Sequence, residues 1–311
     1  MKSFFYIVFG GMVILLGSVG VFMLGTTVWS IIGRSDFATA VMNNSEAMFT
    51  SVNANQIQRF SAQDEEDLIN SAIGILPNSD IKQMTAKAYS VTDVSTGRVV
   101  VEKNSNQLLP IASLTKLVTA IVARKLIPDT ERITITKSVM STYGNTADFT
   151  AGETFSASDL LYPMLIVSSN DAAEAYAEHY GRAKFILAMN DFVQSIGAYR
   201  TYFADSSGLD PKNVSTANDL TIILNWIRKN DPNIIAVTEL KAKTIRSHTW
   251  VNPTHFLSWS YYIGGKNGYL PESNRTSASL FQWANGDVYS VVILGSSDRD
   301  ADTVRLLKKI E

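Results

Sequence analysis

The residues able to do chemistry begin at Ser113-Leu114-Thr115-Lys116. A serine hydroxyl is a weak nucleophile until a base takes its proton, and on a helix a lysine three residues further on is its neighbour. Pro110 and the apolar run Leu117 to Ala123 predict a buried helix that opens just after the proline, with Ser113 in its first turn. There the unpaired N–H groups and partial positive charge of a helix N-terminus favour a developing oxyanion. Lys116 must be neutral to act as base. From an ordinary value near ~10.4, half-neutrality at pH 7 asks for roughly 4 kcal/mol, which burial or a second cation supplies. Taken alone, the same four residues also read as a capping serine beside a snorkelling lysine.

Two further stretches give this pair company. Ser168-Ser169-Asn170 falls between two helical patterns, with a hydroxyl at Ser168 to relay a proton and an amide at Asn170 to orient a substrate amide or hold the lysine. Lys266-Asn267-Gly268 follows the aromatic run Trp259 to Ile263. If that run is a strand, Lys266 projects from its end beside glycines that let a substrate backbone come close. Each stretch alone is an ordinary cap or turn.

Composition narrows the alternatives. The 311 residues carry 27 basic and 29 acidic side chains, a formal net charge of -2, so nothing points to nucleic acid. With no cysteine, disulfides, thiol catalysis and Cys-based zinc sites are excluded, and His179, His248 and His255 lack the spacing of a histidine metal site. No metal or organic cofactor is implied.

The elements that must position these residues follow from periodicity. Ala88 to Val94 and Arg98 to Glu102 flank Ser95-Thr96-Gly97 as one hairpin; Ser277 to Trp283 and Val288 to Leu294 flank Asn285-Gly286 as another; Arg299 to Ile310 reads as a closing helix. Helices are expected over 160–167, 172–180, 183–196 and 217–228. The fold class is therefore α/β in the α+β sense, with a central antiparallel sheet built from both ends of the domain, flanked by helices and joined to a mainly helical subdomain. Three regions are expected: a transmembrane anchor over 1–34, a stalk with a short amphipathic helix over 35–85, and the catalytic domain over 86–311. Phe4 to Gly33 holds no charged residue and exceeds the ~20 residues that span a bilayer. Lys2 before it puts the N-terminus inside and the domain in the extracytoplasmic space, attached to the cell membrane by a single pass. Ala38-Thr39-Ala40 leaves signal-peptide cleavage as the alternative.

In their order and spacing these stretches resemble the serine D-alanyl-D-alanine carboxypeptidases, low-molecular-mass penicillin-binding proteins with a β-lactamase-like fold. Ser113-Leu114-Thr115-Lys116 is similar to their S-x-x-K, Ser168-Ser169-Asn170 to their S-x-N and Lys266-Asn267-Gly268 to their K-T-G. Asp205 to Asp210, Ser215-Thr216-Ala217 and Leu294 to Arg299 add weaker matches. The resemblance implies Ser113 as acylated nucleophile, Lys116 as general base, Ser168 as proton relay and Asn170 as the group orienting Lys116 and the substrate amide. It implies that Lys266, with Asn267 and Gly268, binds the substrate's terminal carboxylate. The N–H of Ser113 and one from the strand after Gly268, nearest Leu270, would form the oxyanion hole. The implied partners are peptidoglycan stem peptides as substrate, β-lactams as inhibitors and the membrane. Asn267 departs from the usual Thr, at a cost of about 1–3 kcal/mol if one good hydrogen bond is lost. That departure keeps a weak or inactive peptidoglycan-binding scaffold as the alternative, with a β-lactamase as a third reading.

Overall fold

Strands from the two ends of the catalytic region pair with one another. In the computed structural model, residues 84–310 are described, together with the backbone of Phe5–Phe9, Met12–Gly17 and Gly20–Leu24. β1 (Ala88–Asp93) and β2 (Val99–Lys103) form the first hairpin; β3 (Tyr262–Leu270), β4 (Asn274–Gln282) and β5 (Val288–Ser296) come from the far end. They assemble in the order β3-β4-β5-β1-β2, antiparallel throughout. Val291 faces Val91 and Lys266 faces Ala278 in register. β1 and β5, in the middle of the sheet, are buried along their whole length, with Ser90, Thr92, Asp93 and Ser290 among their buried polar residues.

Between these strand groups lies the helical part. α1 (Thr115–Leu126) is buried from Thr115 to Ala123 and packs against α2 (Ala157–Ile166) and, beyond α3 (Asn170–Tyr180), against α4 (Arg182–Ser195). α5 (Ala217–Asn230) lies on β1, β4 and β5, and α6 (Pro232–Glu239) lies against β3. α7 (Arg299–Leu307) packs on β4 and β5. Side-chain caps set the starts: Ser156 accepts from the Asp159 N–H, Ser169 from Ala172 and Thr216 from Asp219. One apolar core lies among the helices and the sheet. A second, around Tyr89, Phe281, Ile293 and Leu306, includes residues of α7.

Two expectations are corrected. Leu109–Pro110 is a two-residue strand paired with Val214–Ser215, and the chain passes through a 3-10 turn, Ala112–Leu114, before α1 begins at Thr115. Strand pairing at Pro110 takes precedence over its value as a helix start. β3 does not end at Ile263 but runs on to Leu270, so Lys266 lies in mid-strand. Gly264 and Gly265 mark a close approach within the strand: a Cβ on Gly264 would sit 2.6 Å from Thr238 Oγ1 and 2.7 Å from Ile235 Cγ2 of α6.

In the N-terminal unit the described backbone forms three short antiparallel strands, separated in sequence by Gly10-Gly11 and Ser18-Val19 and rich in residues that favour extended backbone. Among the described residues no helix is long and apolar enough to cross a membrane. The rest of the expected anchor, and the stalk with its amphipathic helix over 63–76, lie outside the described residues.

The start of β1 is tied to the end of β5 by the buried Asp302 of α7. Its carboxylate accepts from the Thr85 N–H (3.1 Å), Thr85 Oγ1 (2.7 Å), Ser296 Oγ (2.7 Å) and Arg305 Nη1 (2.9 Å). Asp302→Ala leaves several of these donors without a partner and is expected to lower stability to denaturant by about 1–3 kcal/mol; an unchanged midpoint would contradict this.

Candidate active site

The turn that presents Ser113 is held from three sides. The Ile111 N–H donates to the Asn213 carbonyl (3.0 Å), Thr276 Oγ1 of β4 donates to the Ile111 carbonyl (3.1 Å), and Thr115 Oγ1 donates to the Ala112 carbonyl (2.8 Å). So fixed, Ala112 takes a left-handed conformation, φ 49°, immediately before the half-buried Ser113. Such strain persists only where surrounding contacts over-determine it.

Lys116 follows on the same side of the chain and has no exposed surface. Its Nζ lies 3.0 Å from Ser113 Oγ, 2.7 Å from Asn170 Oδ1 and against the Ser207 carbonyl. Asn170 Nδ2 donates to the Tyr143 carbonyl (2.7 Å), which turns the amide so that its oxygen faces the lysine. Two of the three neighbours of Nζ are therefore acceptors only, and the third is a hydroxyl that can donate. A neutral amine, with two N–H groups and one lone pair, matches that set, the lone pair facing the Ser113 hydroxyl. Burial, and then the nearby Lys266 cation, hold the Lys116 pKa well below the ordinary lysine range; Asp205 opposes them.

Ser168 lies in the link between α2 and α3 with φ 59°, also left-handed. Lys266 Nζ donates to its Oγ (2.9 Å) and to the Asn267 carbonyl (2.9 Å). Burial, with a smaller contribution from Arg299, lowers the Lys266 pKa to about 7. Gly268 passes directly beside Ser113: a Cβ there would lie 2.9 Å from the Ser113 nitrogen. The structure thus brings Ser113, Lys116, Asn170 and Gly268 to one place and joins Ser168 to Lys266 beside it. Asn267 is partly exposed on the same strand.

The strand N–H nearest Ser113 requires another correction. Leu270 N–H is engaged inside the hairpin, donating to Ser273 Oγ (3.0 Å), whereas Gly265 N–H points out of the sheet to Thr238 Oγ1 (2.9 Å). N–H groups alternate sides along a strand. The free-edge series is therefore Gly265, Asn267 and Tyr269, and Tyr269, not Leu270, faces the cleft beside Gly268.

Asp205, flagged in the sequence only as part of a weak match, organises the floor. It accepts from the N–H groups of Ser207, Gly208 and Asp210 and from Asn213 Nδ2. This loop sets the Ser207 carbonyl against Lys116, and Thr119 Oγ1 donates to the Ser206 carbonyl beside it (2.6 Å). The carbonyls of Tyr143 and Ser207 carry no sequence signal, because any residue supplies one.

Comparison with known proteins gives the family. Residues 76–296 match the peptidase S11 family, D-alanyl-D-alanine carboxypeptidase. The chain belongs to that family. Among S11 and related proteins, it is 35% identical over 147 residues to the D-alanyl-D-alanine endopeptidase of Pseudomonas aeruginosa (46% of this chain, 47% of that protein). It is 34% identical over 206 residues to the D-alanyl-D-alanine endopeptidase of Escherichia coli K12 (63% and 65%). The crystal structure of penicillin binding protein 5 from Haemophilus influenzae superposes with a TM-score of 0.68 at 26% identity, covering 76% of this chain and 72% of that one. The matches span about half to two thirds of the length of these curated relatives.

Close approach to the Ala112 turn makes a test of this S11 site. A Cβ on Gly208 (φ +88°) would lie 2.1 Å from the Ala112 carbonyl oxygen, whereas Gly152 (φ +95°) has nothing within 4 Å of such an atom. Both Gly→Ala changes carry the left-handed penalty of roughly 1–2 kcal/mol. Gly208→Ala is expected to cost a further ~1–3 kcal/mol from overpacking, read by denaturant titration. Equal losses would contradict the tight turn.

Proposed function

We propose that this protein is a serine DD-peptidase that acts on D-Ala-D-Ala ends or cross-links of peptidoglycan stem peptides through an acyl-enzyme on Ser113, and that β-lactams acylate the same residue. The observation that carries this reading is the three-partner enclosure of Lys116 Nζ by Ser113 Oγ, Asn170 Oδ1 and the Ser207 carbonyl. Membership of the S11 family supports it.

In this reading Lys116 takes the Ser113 proton as Oγ attacks the penultimate D-alanine carbonyl. The tetrahedral oxyanion rests between the N–H groups of Ser113 and Tyr269; losing one such donor costs about 10²–10³ in rate. Collapse breaks the C–N bond, and the proton passes through Ser168 to the leaving amine. Water, deprotonated by the same base, then hydrolyses the Ser113 ester, releasing the shortened peptide as its carboxylate and returning the proton to Oγ. Lys266, while charged, attracts the terminal carboxylate of the substrate and discourages a proton on Lys116. Asn267, neutral and larger than the usual Thr, weakens or changes that carboxylate contact. Relatives named endopeptidases support action on cross-links beside trimming of free ends. The uncharged opening of the chain supports membrane attachment with the domain outside the cytoplasm.

Fluorescent penicillin should label the full chain stably, Ser113→Ala should abolish the label, and D-alanine should be released from a pentapeptide or cross-linked dimers cleaved. Rapid turnover of the label would indicate a β-lactamase; no label and no cleavage would indicate a scaffold. The pH dependence of acylation has a defined sign. The rate rises with pH as Lys116 loses its proton and falls above about pH 7 as Lys266 loses its charge, the two limbs belonging to the coupled pair. Lys266→Arg, which stays charged, is expected to remove the alkaline limb; its persistence would contradict the assignment.

A further inference from the structure

At the end of β3 remote from Ser113, Trp259, Tyr261 and Trp283 form a run of rings with nothing to do in the chemistry above. Centroids lie 5.3 Å apart for Trp259 and Tyr261, 5.4 Å for Tyr261 and Trp283, and 5.5 Å for Trp283 and Tyr289. Tyr261 is 36% exposed, and both indoles are half-buried. Tyr261 and Trp283 line a groove of about 620 Å³ with Ser260, Gln282, Ala284 and Gly286. That size falls among ligand sites, roughly 300–1,000 Å³.

The groove is held in shape by its own backbone. Gln282 N–H donates to the Tyr261 carbonyl (2.7 Å), Trp283 N–H to the Asp287 carbonyl (2.9 Å) and Gly286 N–H to the Trp283 carbonyl (2.9 Å). None of the six lining residues is charged, so the lining offers no attraction to phosphate or to an anionic membrane. It offers instead the rings of Tyr261 and Trp283, whose π systems attract polarised C–H groups, beside the hydroxyl of Ser260 and the amide of Gln282, whose Nε2 lies 3.4 Å from the Gly286 carbonyl. A pyranose has the matching chemistry: one apolar C–H face and an edge of hydroxyl or acetamido groups.

We infer that the Tyr261–Trp283 groove is a saccharide-binding exosite that holds the glycan strand of the polymer whose stem peptides Ser113 cleaves. The inference rests on the peptidoglycan reading above and adds to it a second place of contact. Tyr261 precedes Lys266 by five residues, about 17 Å at ~3.3 Å per residue. Helix α6 packs against the strand between them, at Gly264. A sugar in the groove therefore touches no reacting atom, and the site acts on retention of polymer, not on the bond broken.

The test uses the full chain in detergent, with peptide-free glycan strands prepared by amidase digestion of sacculi as the probe. Retention on these strands should fall about 2- to 10-fold in Trp283→Ala and in Tyr261→Ala, the range expected for one ring contact. Fluorescent-penicillin labelling at Ser113 and cleavage of a soluble pentapeptide should stay unchanged, which also shows that the variants fold. Titration with tri-N-acetylglucosamine should perturb the tryptophan fluorescence of the parent protein and do so less in Trp283→Ala. Equal retention of parent and variants, or none by the parent, would overturn the inference while leaving the peptidase reading intact. Loss of self-association in the variants with glycan retention unchanged would also overturn it, making the groove an interface between copies. Failure of penicillin labelling in the parent would instead count against the peptidase reading.

Discussion

The site depends on one buried amine. Lys116 Nζ has no access to solvent and touches three oxygens, of which only the Ser113 hydroxyl can give it a proton. A charged ammonium in that place would bear a desolvation penalty and the repulsion of Lys266. Remaining neutral avoids both and leaves a lone pair for the Ser113 hydroxyl. The arrangement sets an amine whose burial disfavours its charge 3.0 Å from the Ser113 hydroxyl.

Much of the surrounding fold can be understood as keeping that amine dry and its partners fixed. α1 is buried over nine consecutive residues, so the lysine emerges inside the protein. The loop organised by Asp205 supplies the Ser207 carbonyl, and the N-terminal turn of α3 supplies Asn170, itself oriented by the Tyr143 carbonyl. The edge strand β3 closes the other side through Gly268, where a side chain would meet the Ser113 nitrogen. Left-handed backbone at Ala112 and at Ser168, immediately before or at the hydroxyls of the site, marks where packing overrides local preference.

Residue types and their order singled out the side chains that meet here: Ser113, Lys116, Asn170 and Gly268 lie together, and Ser168 is joined to Lys266. Strand alternation and the Asn285-Gly286 turn likewise predicted both hairpins and the sheet that joins them. What was not legible is mostly backbone. Carbonyls at Tyr143 and Ser207 leave no mark on the sequence, and the free N–H of Tyr269 emerges only from the register of β3. Pro110 and the Gly264-Gly265 pair were misread because both residue types have two uses. A proline opens helices but also fits a short strand, and paired glycines end strands but also admit a neighbouring helix.

The most direct test of the account is the protonation of Lys116 itself, followed by NMR of the full chain with ¹³C-labelled lysine side chains, the resonance assigned by its loss in Lys116→Met. The account predicts that this signal titrates well below the ordinary lysine range. A Lys116 resonance that titrates at the ordinary lysine value near ~10.4 would contradict it.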